Sequence, residues 1–277
     1  MLRTRVITAL VLLAALLPAL FYLPPLAWAW GVAGLSAIAA WEWGGFMRLG
    51  KSARVALGVF FFALCGTAIF LQPAAMGGDG WNLDAAWQLA RWLYLPAALF
   101  WFCALPFWLW RRWPLPGRIG GFCIGLVIIL PTCLALVQLR QLGAWTLVCI
   151  MAIVWAADIA AYFSGRAFGK RKLAPSISPG KTWAGAWGAV LGVQIYGFSA
   201  SAWLPQAMQG SIPLFVATLA LLTVLSIVGD LFESLLKRQA GLKDSSAILP
   251  GHGGILDRID SLTSTLPLVA MLWLLVL

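Results

Sequence analysis

The chain has 277 residues, of which 62% are hydrophobic and only 10% charged, and its formal net charge is +10. This composition excludes an ordinary soluble domain, in which about a quarter of the residues are charged. The basic excess does not indicate nucleic-acid binding, because no basic stretch lies outside the loops between apolar segments. It is typical of a membrane protein whose cationic loops face anionic lipid.

Apolar segments long enough to cross a bilayer recur along the whole chain. We predict an all-α, polytopic integral membrane protein with about nine transmembrane helices. The predicted spans are 6–23, 26–47, 55–72, 93–110, 119–138, 144–163, 182–204, 213–236 and 261–277. The first is interpreted as a retained span rather than a signal peptide, because its apolar run of about 18 residues exceeds the usual hydrophobic core of a signal peptide.

The loops between these spans differ in charge from one side of the membrane to the other. With nine spans, seventeen Lys and Arg residues fall on one side, and only Arg91 and Arg140 fall on the other. Cationic loops face the cytoplasm. The N-terminus is therefore predicted to be cytoplasmic and the C-terminus to lie outside.

The chain divides into two regions with different polar content. Residues 1–118 hold about four spans, almost without polar residues at depth, and their role is left open. Residues 119–277 hold the remaining spans and two longer cytoplasmic loops rich in charge, glycine and proline, at 164–181 and 237–260. We expect the active centre on the cytoplasmic face of this second region.

Glu42 is the polar exception in the first region. It lies in the run Trp41-Glu42-Trp43, about one helical turn from the cytoplasmic end of its span. We interpret it as a carboxylate near the membrane interface that pairs with Arg48.

Carboxylates cluster in three segments of the second region. In the eighth span, i, i+3, i+4 and i+7 spacing places the polar residues on one helix face. The charged side chains are Asp158 in the sixth span, Asp230, Glu233 and Lys237 in the eighth, and Asp257, Arg258 and Asp260 after it. Charge is costly inside a membrane, so we expect these residues to line one polar cavity that opens to the cytoplasm.

Carboxylates surrounded by lysine and arginine are typical of metal-assisted phosphoryl chemistry. Mg²⁺ prefers carboxylate and phosphate oxygens, and cationic side chains offset the remaining phosphate charge. A zinc site is not indicated, because the chain has one histidine and its five cysteines fall inside apolar spans without metal-ligand spacing.

The loop before the seventh span ends in the run Ser178-Pro179-Gly180-Lys181-Thr182. It is not a phosphate-binding P-loop, because residue 175 is proline where that motif needs its first glycine, and we expect no strand before it. Ser178 or Thr182 is expected to cap the following helix, and Lys181 to meet a phosphate.

His252 lies between glycines that allow a ligand to approach closely. Whether it contacts a phosphate or a base, or has a structural role, is left open by the sequence.

The polar residues of the eighth span and its following loop form one fixed pattern. It runs through Ser234, Lys237-Arg238, Lys243-Asp244, Pro250, His252-Gly253-Gly254, Asp257-Arg258 and Asp260. In residue types and spacing the pattern resembles that of the phosphatidate cytidylyltransferases, or CDP-diacylglycerol synthases. The resemblance covers residues 153–267 and is thin before them.

This resemblance implies transfer of a cytidylyl group from CTP to phosphatidic acid, giving CDP-diacylglycerol and pyrophosphate. It implies that Mg²⁺ is required, bound by Asp230 and Asp257, with a second metal ion left open. Together with the spacing, it assigns catalysis to Asp230, Asp257, Lys237, Arg258 and Asp260. Substrate binding is assigned to Lys181, Ser178, Thr182, Arg238, Lys243, Asp244, His252, Asp158 and Glu233.

The alternative is a related CTP-dependent kinase that phosphorylates a lipid alcohol such as polyisoprenol or phytol, which the intact pattern disfavours. A transporter is also disfavoured. It would carry ionisable groups near the middle of the membrane and a repeated half, whereas the charges of this chain are predicted to be shallow, on one face and unrepeated. We expect a bacterial inner-membrane protein whose active site faces the cytoplasm. Its expected partners are CTP, phosphatidic acid and anionic membrane lipid, without nucleic acid, and a homodimer is left open.

Overall fold

A computed structural model describes residues 2–276 and the side chains of residues 7–275, and these residues are predominantly helical. The α-helices are α1 Leu2–Tyr22, α2 Pro25–Phe46, α3 Lys51–Leu71, α4 Leu83–Leu99, α5 Leu105–Arg111, α6 Gly117–Arg140, α7 Ala144–Phe168, α8 Trp183–Ser199, α9 Ile212–Ala240 and α10 Leu256–Val276. A π-helical turn, Phe100–Ala104, joins α4 to α5. Each predicted span falls on a helix, so the helical fold class is confirmed.

Six of the described helices are long and apolar enough to cross a membrane, by length and composition. They are α3, the continuous unit Leu83–Arg111, α6, α7, α9 and α10. The fourth helix begins at Leu83 rather than at 93, because the Asn82 side chain accepts a hydrogen bond from Ala85 N at 2.8 Å and caps it. The helix therefore includes Arg91, which the predicted spans place in a loop.

The segment before α8 is a β-hairpin rather than a plain loop. Strand β1, Lys172–Ala174, pairs antiparallel with β2, Ser178–Thr182, in the register Lys172–Thr182 and Ala174–Ser178. The expectation that no strand precedes Lys181 is therefore wrong. Such short strands, in a run of lysine, proline and serine, carry no alternating apolar pattern to reveal them.

Helices α7 and α8 approach each other closely through small residues. A Cβ atom at Gly185 would lie 2.9 Å from Ala161 O, and one at Gly188 or Gly192 would collide with Ser164 or Ala160. Small residues are the usual means of close helix packing in lipid, where the surroundings are as apolar as the side chains. This contact brings the hairpin and the end of α7 together.

Helices α9 and α10 are joined by hydrogen bonds between their polar faces. Ser261 Oγ donates to Ser226 O at 2.9 Å, and Ser264 Oγ donates to Leu225 O at 2.8 Å. Helix α10 also packs against α6 and α4. The polar ends of α9 and α10 thereby face each other.

The two regions inferred from the sequence are packed together in the structure. Helix α2 contacts α6 and α9 as well as α3, and α4 contacts α6 and α10.

Arg48 is not paired with Glu42. Arg48 Nη2 donates to Gln239 O at 2.5 Å, and Glu42 has other partners. The predicted Glu42–Arg48 pair is therefore wrong.

Candidate active site

The C-terminal end of α9 and the start of α10 share an ion pair, Lys237–Asp257, which we call the buried pair. Lys237 Nζ lies 2.5 Å from Asp257 Oδ1 and 3.1 Å from Glu233 Oε1. The side chains of Lys237 and Asp257 are only 11% and 3% exposed. Two carboxylates thus surround one ammonium group between the helices.

Asp257 is also the anchor of the loop that precedes it. Its Oδ2 accepts hydrogen bonds from Ser245 N and Ser245 Oγ, both at 2.7 Å, and from Gly254 N at 2.8 Å. The loop turns tightly enough for these bonds because Gly251 and Gly253 adopt φ values of +78° and +80°, which favour glycine. A single carboxylate therefore fixes both ends of the loop.

A second ion pair, Lys181–Asp230, joins the hairpin to α9, and we call it the open pair. Lys181 Nζ lies 2.6 Å from Asp230 Oδ2, and the two side chains are 24% and 28% exposed. Ser234 Oγ donates to the other oxygen, Asp230 Oδ1, at 3.1 Å. This pair is held by fewer protein groups than the buried pair.

The open pair lines a cleft of about 400 Å³ between α7, the hairpin, α8 and α9, which we call the helix cleft. Asp158 of α7 is exposed in the same cleft. Arg166 and Lys172 add two more cations to its wall. Carboxylates from α7 and α9 therefore meet in one cavity, whereas Asp257 and Asp260, which the sequence predicts in the same cavity, do not line it.

A larger pocket of about 610 Å³ lies on the loop between α9 and α10, and we call it the loop pocket. Its polar lining includes Lys243, Asp244, Ser246, His252 and Arg258. The Nδ1 atom of His252 is buried and has no hydrogen-bond partner among the described residues. The pocket thus offers the cations Lys243 and Arg258 to a ligand, with the His252 ring in its wall.

The two cavities are electrostatically connected through the start of α10. Asp158 in the helix cleft interacts with Arg258 in the loop pocket as well as with Asp230 and Lys181. Asp260 interacts with Asp230, Lys237 and Asp158. Charged groups from α7, the hairpin, α9 and the start of α10 therefore act on one another.

Other sequence-predicted site residues line neither cavity or have their side chains engaged elsewhere. Thr182 is buried and caps α8, where its Oγ1 accepts from Gly185 N at 3.1 Å. Ser178 pairs with Ala174 in the hairpin and lines neither cavity. Arg238 is exposed on α9 outside both, and Glu233 is buried beside Lys237.

The residue that sequence reasoning misinterpreted is Glu42. It reaches from α2 to the loop before α10, where it accepts hydrogen bonds from Ser246, Ile255 and Leu256 and lies 3.2 Å from Ser245 Oγ. The only signal in the sequence was a lone carboxylate between two tryptophans in an otherwise apolar span.

Within residues 2–276, no group of three or more His, Cys, Asp and Glu side chains is arranged as a metal site. The carboxylate oxygens of Asp230 and Asp257 nevertheless fit a hard cation. Each already binds a positive charge, the ammonium group of a lysine, at 2.6 and 2.5 Å. Asp158 offers further carboxylate oxygens in the helix cleft. Mg²⁺ takes one or two carboxylates together with substrate phosphates, so these residues could bind it with a substrate present.

Comparison with known proteins gives matches along the whole chain. A sequence model of the cytidylyltransferase family matches residues 3–276. A phosphatidate cytidylyltransferase of Pseudomonas aeruginosa is 40% identical over 280 residues, covering 99% of this chain and 97% of the relative. One from Haemophilus influenzae is 36% identical over 302 residues and covers all of both chains. One from Thermotoga maritima is 39% identical over 131 residues, 46% of this chain and 48% of that protein.

Proposed function

Since this chain belongs to the cytidylyltransferase family, we propose that it transfers the cytidylyl group of CTP to phosphatidic acid, giving CDP-diacylglycerol and pyrophosphate. Relatives that match nearly end to end are named for this reaction. The structural observation that carries the proposal is a pair of cavities with cations in their walls, one between apolar helices and one on a loop, with Arg258 of the loop pocket close enough to act electrostatically on Asp158 of the helix cleft.

We assign the lipid phosphate to the helix cleft and the nucleotide to the loop pocket. The helix cleft is bounded by α7, α8 and α9, so a lipid headgroup can enter it from the bilayer while its acyl chains stay among apolar helices. Lys181, Arg166 and Lys172 line the cleft and would offset the phosphate charge. The loop pocket has Lys243, Arg258 and glycine backbone to receive a triphosphate.

In the proposed reaction an oxygen of the lipid phosphate attacks the α-phosphorus of CTP. The bond from that phosphorus to the bridging oxygen breaks, and pyrophosphate leaves with the electron pair. No general base is needed, because a phosphate monoester is already largely ionised near neutral pH. The protein contributes positioning and charge neutralisation through Arg258 of the loop pocket, Lys181 of the helix cleft and Lys237 of the buried pair.

Magnesium is proposed as the cofactor, with Asp230 and Asp257 as its protein ligands and Asp158 nearby. Bound there, it would neutralise charge on the phosphate oxygens. Asp257 Oδ2 already accepts three hydrogen bonds, so only Oδ1 could serve, and Lys237 would have to leave it. Asp230 needs only to release Lys181 in a partly exposed cleft.

The proposed topology has nine spans, a cytoplasmic N-terminus and an active site on the cytoplasmic face of a bacterial inner membrane. The asymmetry of loop charge supports it, although Arg3 and Arg5, which contribute to that asymmetry, lie outside the described side chains. A cysteine placed at Lys243 tests this topology. Labelling by a membrane-impermeant reagent only after the membrane is opened agrees with a cytoplasmic loop, and labelling of intact cells contradicts it.

The reaction is tested with purified protein in mixed micelles containing Mg²⁺, CTP and phosphatidic acid. We expect release of pyrophosphate together with CDP-diacylglycerol. Parallel reactions replace CTP with ATP, or phosphatidic acid with a polyisoprenol. Product formed only with the lipid alcohol and CTP would identify the kinase alternative, which the full-length relatives do not favour.

A further inference from the structure

Glu42 of α2 contacts the catalytic loop from the other end of the sequence. Its side chain is completely buried, at 0% exposure. Oε1 accepts from Ser246 Oγ at 2.6 Å and from Ile255 N at 2.9 Å. Oε2 accepts from Leu256 N at 2.7 Å and lies 3.2 Å from Ser245 Oγ.

This carboxylate has no cation beside it. Among the described side chains, no lysine or arginine lies within ion-pair distance of Glu42. Its charge faces the first N–H groups of α10 instead, where the helix dipole and unpaired amides favour an anion. Glu42 therefore acts as an N-terminal cap that α2 supplies to α10.

The backbone at Gly254 lies too close to Glu42 to carry a side chain. A Cβ atom at Gly254 would collide with both Glu42 Oε1 and Ser245 Oγ. Gly254 thus makes room for the Glu42 carboxylate, and Gly253 supplies the positive φ of the turn.

The groups that Glu42 holds are next to those that would act on substrate. Ile255 and Leu256 directly precede Asp257 and Arg258, and Ser246 lines the loop pocket. Ser245 Oγ, 2.7 Å from Asp257 Oδ2, lies between the two carboxylates. Moving Glu42 would therefore shift the loop pocket and the buried pair while leaving the open pair in place.

We infer that Glu42 is a positioning residue that fixes the loop 243–256 and the first turn of α10 for nucleotide binding. It touches no substrate itself and acts through the backbone that carries Arg258. The inference rests on the proposed function for its kinetic test only, since the contacts themselves can be tested without substrate.

The first test is hydrogen exchange of the purified protein without substrate. In Glu42→Gln the amide NH₂ must face the backbone N–H of either Ile255 or Leu256, because each carboxylate oxygen accepts from one of them. We expect exchange in residues 245–257 to rise about 10-fold, with α6 unchanged. A uniform rise along the chain, or no rise, would overturn the inference.

The second test compares kinetics across three variants. We expect Glu42→Gln to lower kcat/KM for CTP about 30-fold while KM for phosphatidic acid stays unchanged. Glu42→Asp, which keeps the charge but is shorter, should be more active than Glu42→Gln. A role in packing alone predicts the reverse order, because glutamine preserves the volume and aspartate does not.

The matched control is Tyr94→Phe, which removes a buried hydrogen bond from Tyr94 OH to Gln138 Oε1 at 2.8 Å, away from the loop. We expect it to lower Tm while keeping activity within about 3-fold of the wild type. Equal activity loss in Glu42→Gln and Tyr94→Phe at equal Tm would overturn the inference.

If Glu42→Gln fails to fold, Ser246→Ala removes one donor to the same carboxylate and takes its place in the exchange test. If the wild type makes no CDP-diacylglycerol, the proposed function fails. The exchange experiment then decides the positioning role alone.

Discussion

The buried pair and the open pair have nearly the same length but are held in different ways. Lys237 lies 2.5 Å from Asp257, and Lys181 lies 2.6 Å from Asp230. Asp257 is 3% exposed and accepts three further hydrogen bonds, whereas Asp230 is 28% exposed and accepts one from Ser234. The separation between the charges therefore says little about the role of each pair.

The surroundings of the two pairs indicate different functions. Removing one member of a buried ion pair leaves an uncompensated charge and typically costs about 3–5 kcal/mol of stability, whereas an exposed pair is worth about 0–1 kcal/mol. The buried pair is thus part of the folded framework of the site, and a metal ion at Asp257 would have to replace Lys237 as the compensating charge. The open pair can exchange its partner for a ligand at little cost in stability.

The largest effect is expected for Asp257→Asn. Either orientation of the asparagine amide puts an NH₂ group against Lys237 or against the donors of Ser245 and Gly254. We expect pyrophosphate release to fall at least about 1000-fold and Tm to fall clearly, because the amide cannot accept from all of these donors and Lys237 keeps only Glu233 as its ion-pair partner. Thermal unfolding in detergent and the CTP assay measure the two effects. Wild-type Tm in this variant would contradict the assigned structural role of Asp257.

Asp230→Asn is the matched variant at the open pair. We expect activity to fall about 100- to 1000-fold, since a group that organises phosphate charge is lost. Tm should change little, because the pair is partly exposed. A fall in Tm equal to that of Asp257→Asn would show that the two pairs are equivalent after all.

Sequence reasoning identified the helices and the polar face of α9 because both depend on local patterns. Apolar runs mark the helices, and i, i+4 spacing brings Asp230 beside Ser234 and Glu233 beside Lys237, as observed. The cost of charge in lipid also correctly indicated that Asp158 and Asp230 share a cavity.

Contacts between distant segments could not be predicted in this way. Glu42 and Leu256 are 214 positions apart, and nothing in the spacing of either segment points to the other. The nearby cation Arg48 was the obvious partner for Glu42, yet it donates to Gln239 O instead. Which lysine pairs with which aspartate likewise depends on helix packing rather than on local pattern.

Arg258 and Arg238 provide a smaller test, with one arginine in the site and one outside it. Arg258 lines the loop pocket and interacts with Asp158, whereas Arg238 is exposed on α9 and lines neither cavity. We expect Arg258→Gln to lower kcat/KM for CTP about 30-fold and Arg238→Gln to change it less than about 3-fold. Comparable losses in both would mean that the nucleotide extends beyond the loop pocket towards α9.

The smallest effect is expected at Thr182, next to Lys181 of the open pair. Its buried Oγ1 caps α8 by accepting from Gly185 N at 3.1 Å, so its hydroxyl is committed to the fold while the Lys181 ammonium is exposed to the cleft. Thr182→Val should lower stability by about 1 kcal/mol and activity only a few-fold, and Thr182→Ser should restore both. If Thr182→Val keeps the wild-type Tm but loses activity more than about 30-fold, the hydroxyl contacts substrate instead. Thr182 would then belong, with Lys181, to the ligand-binding groups rather than to the folded framework.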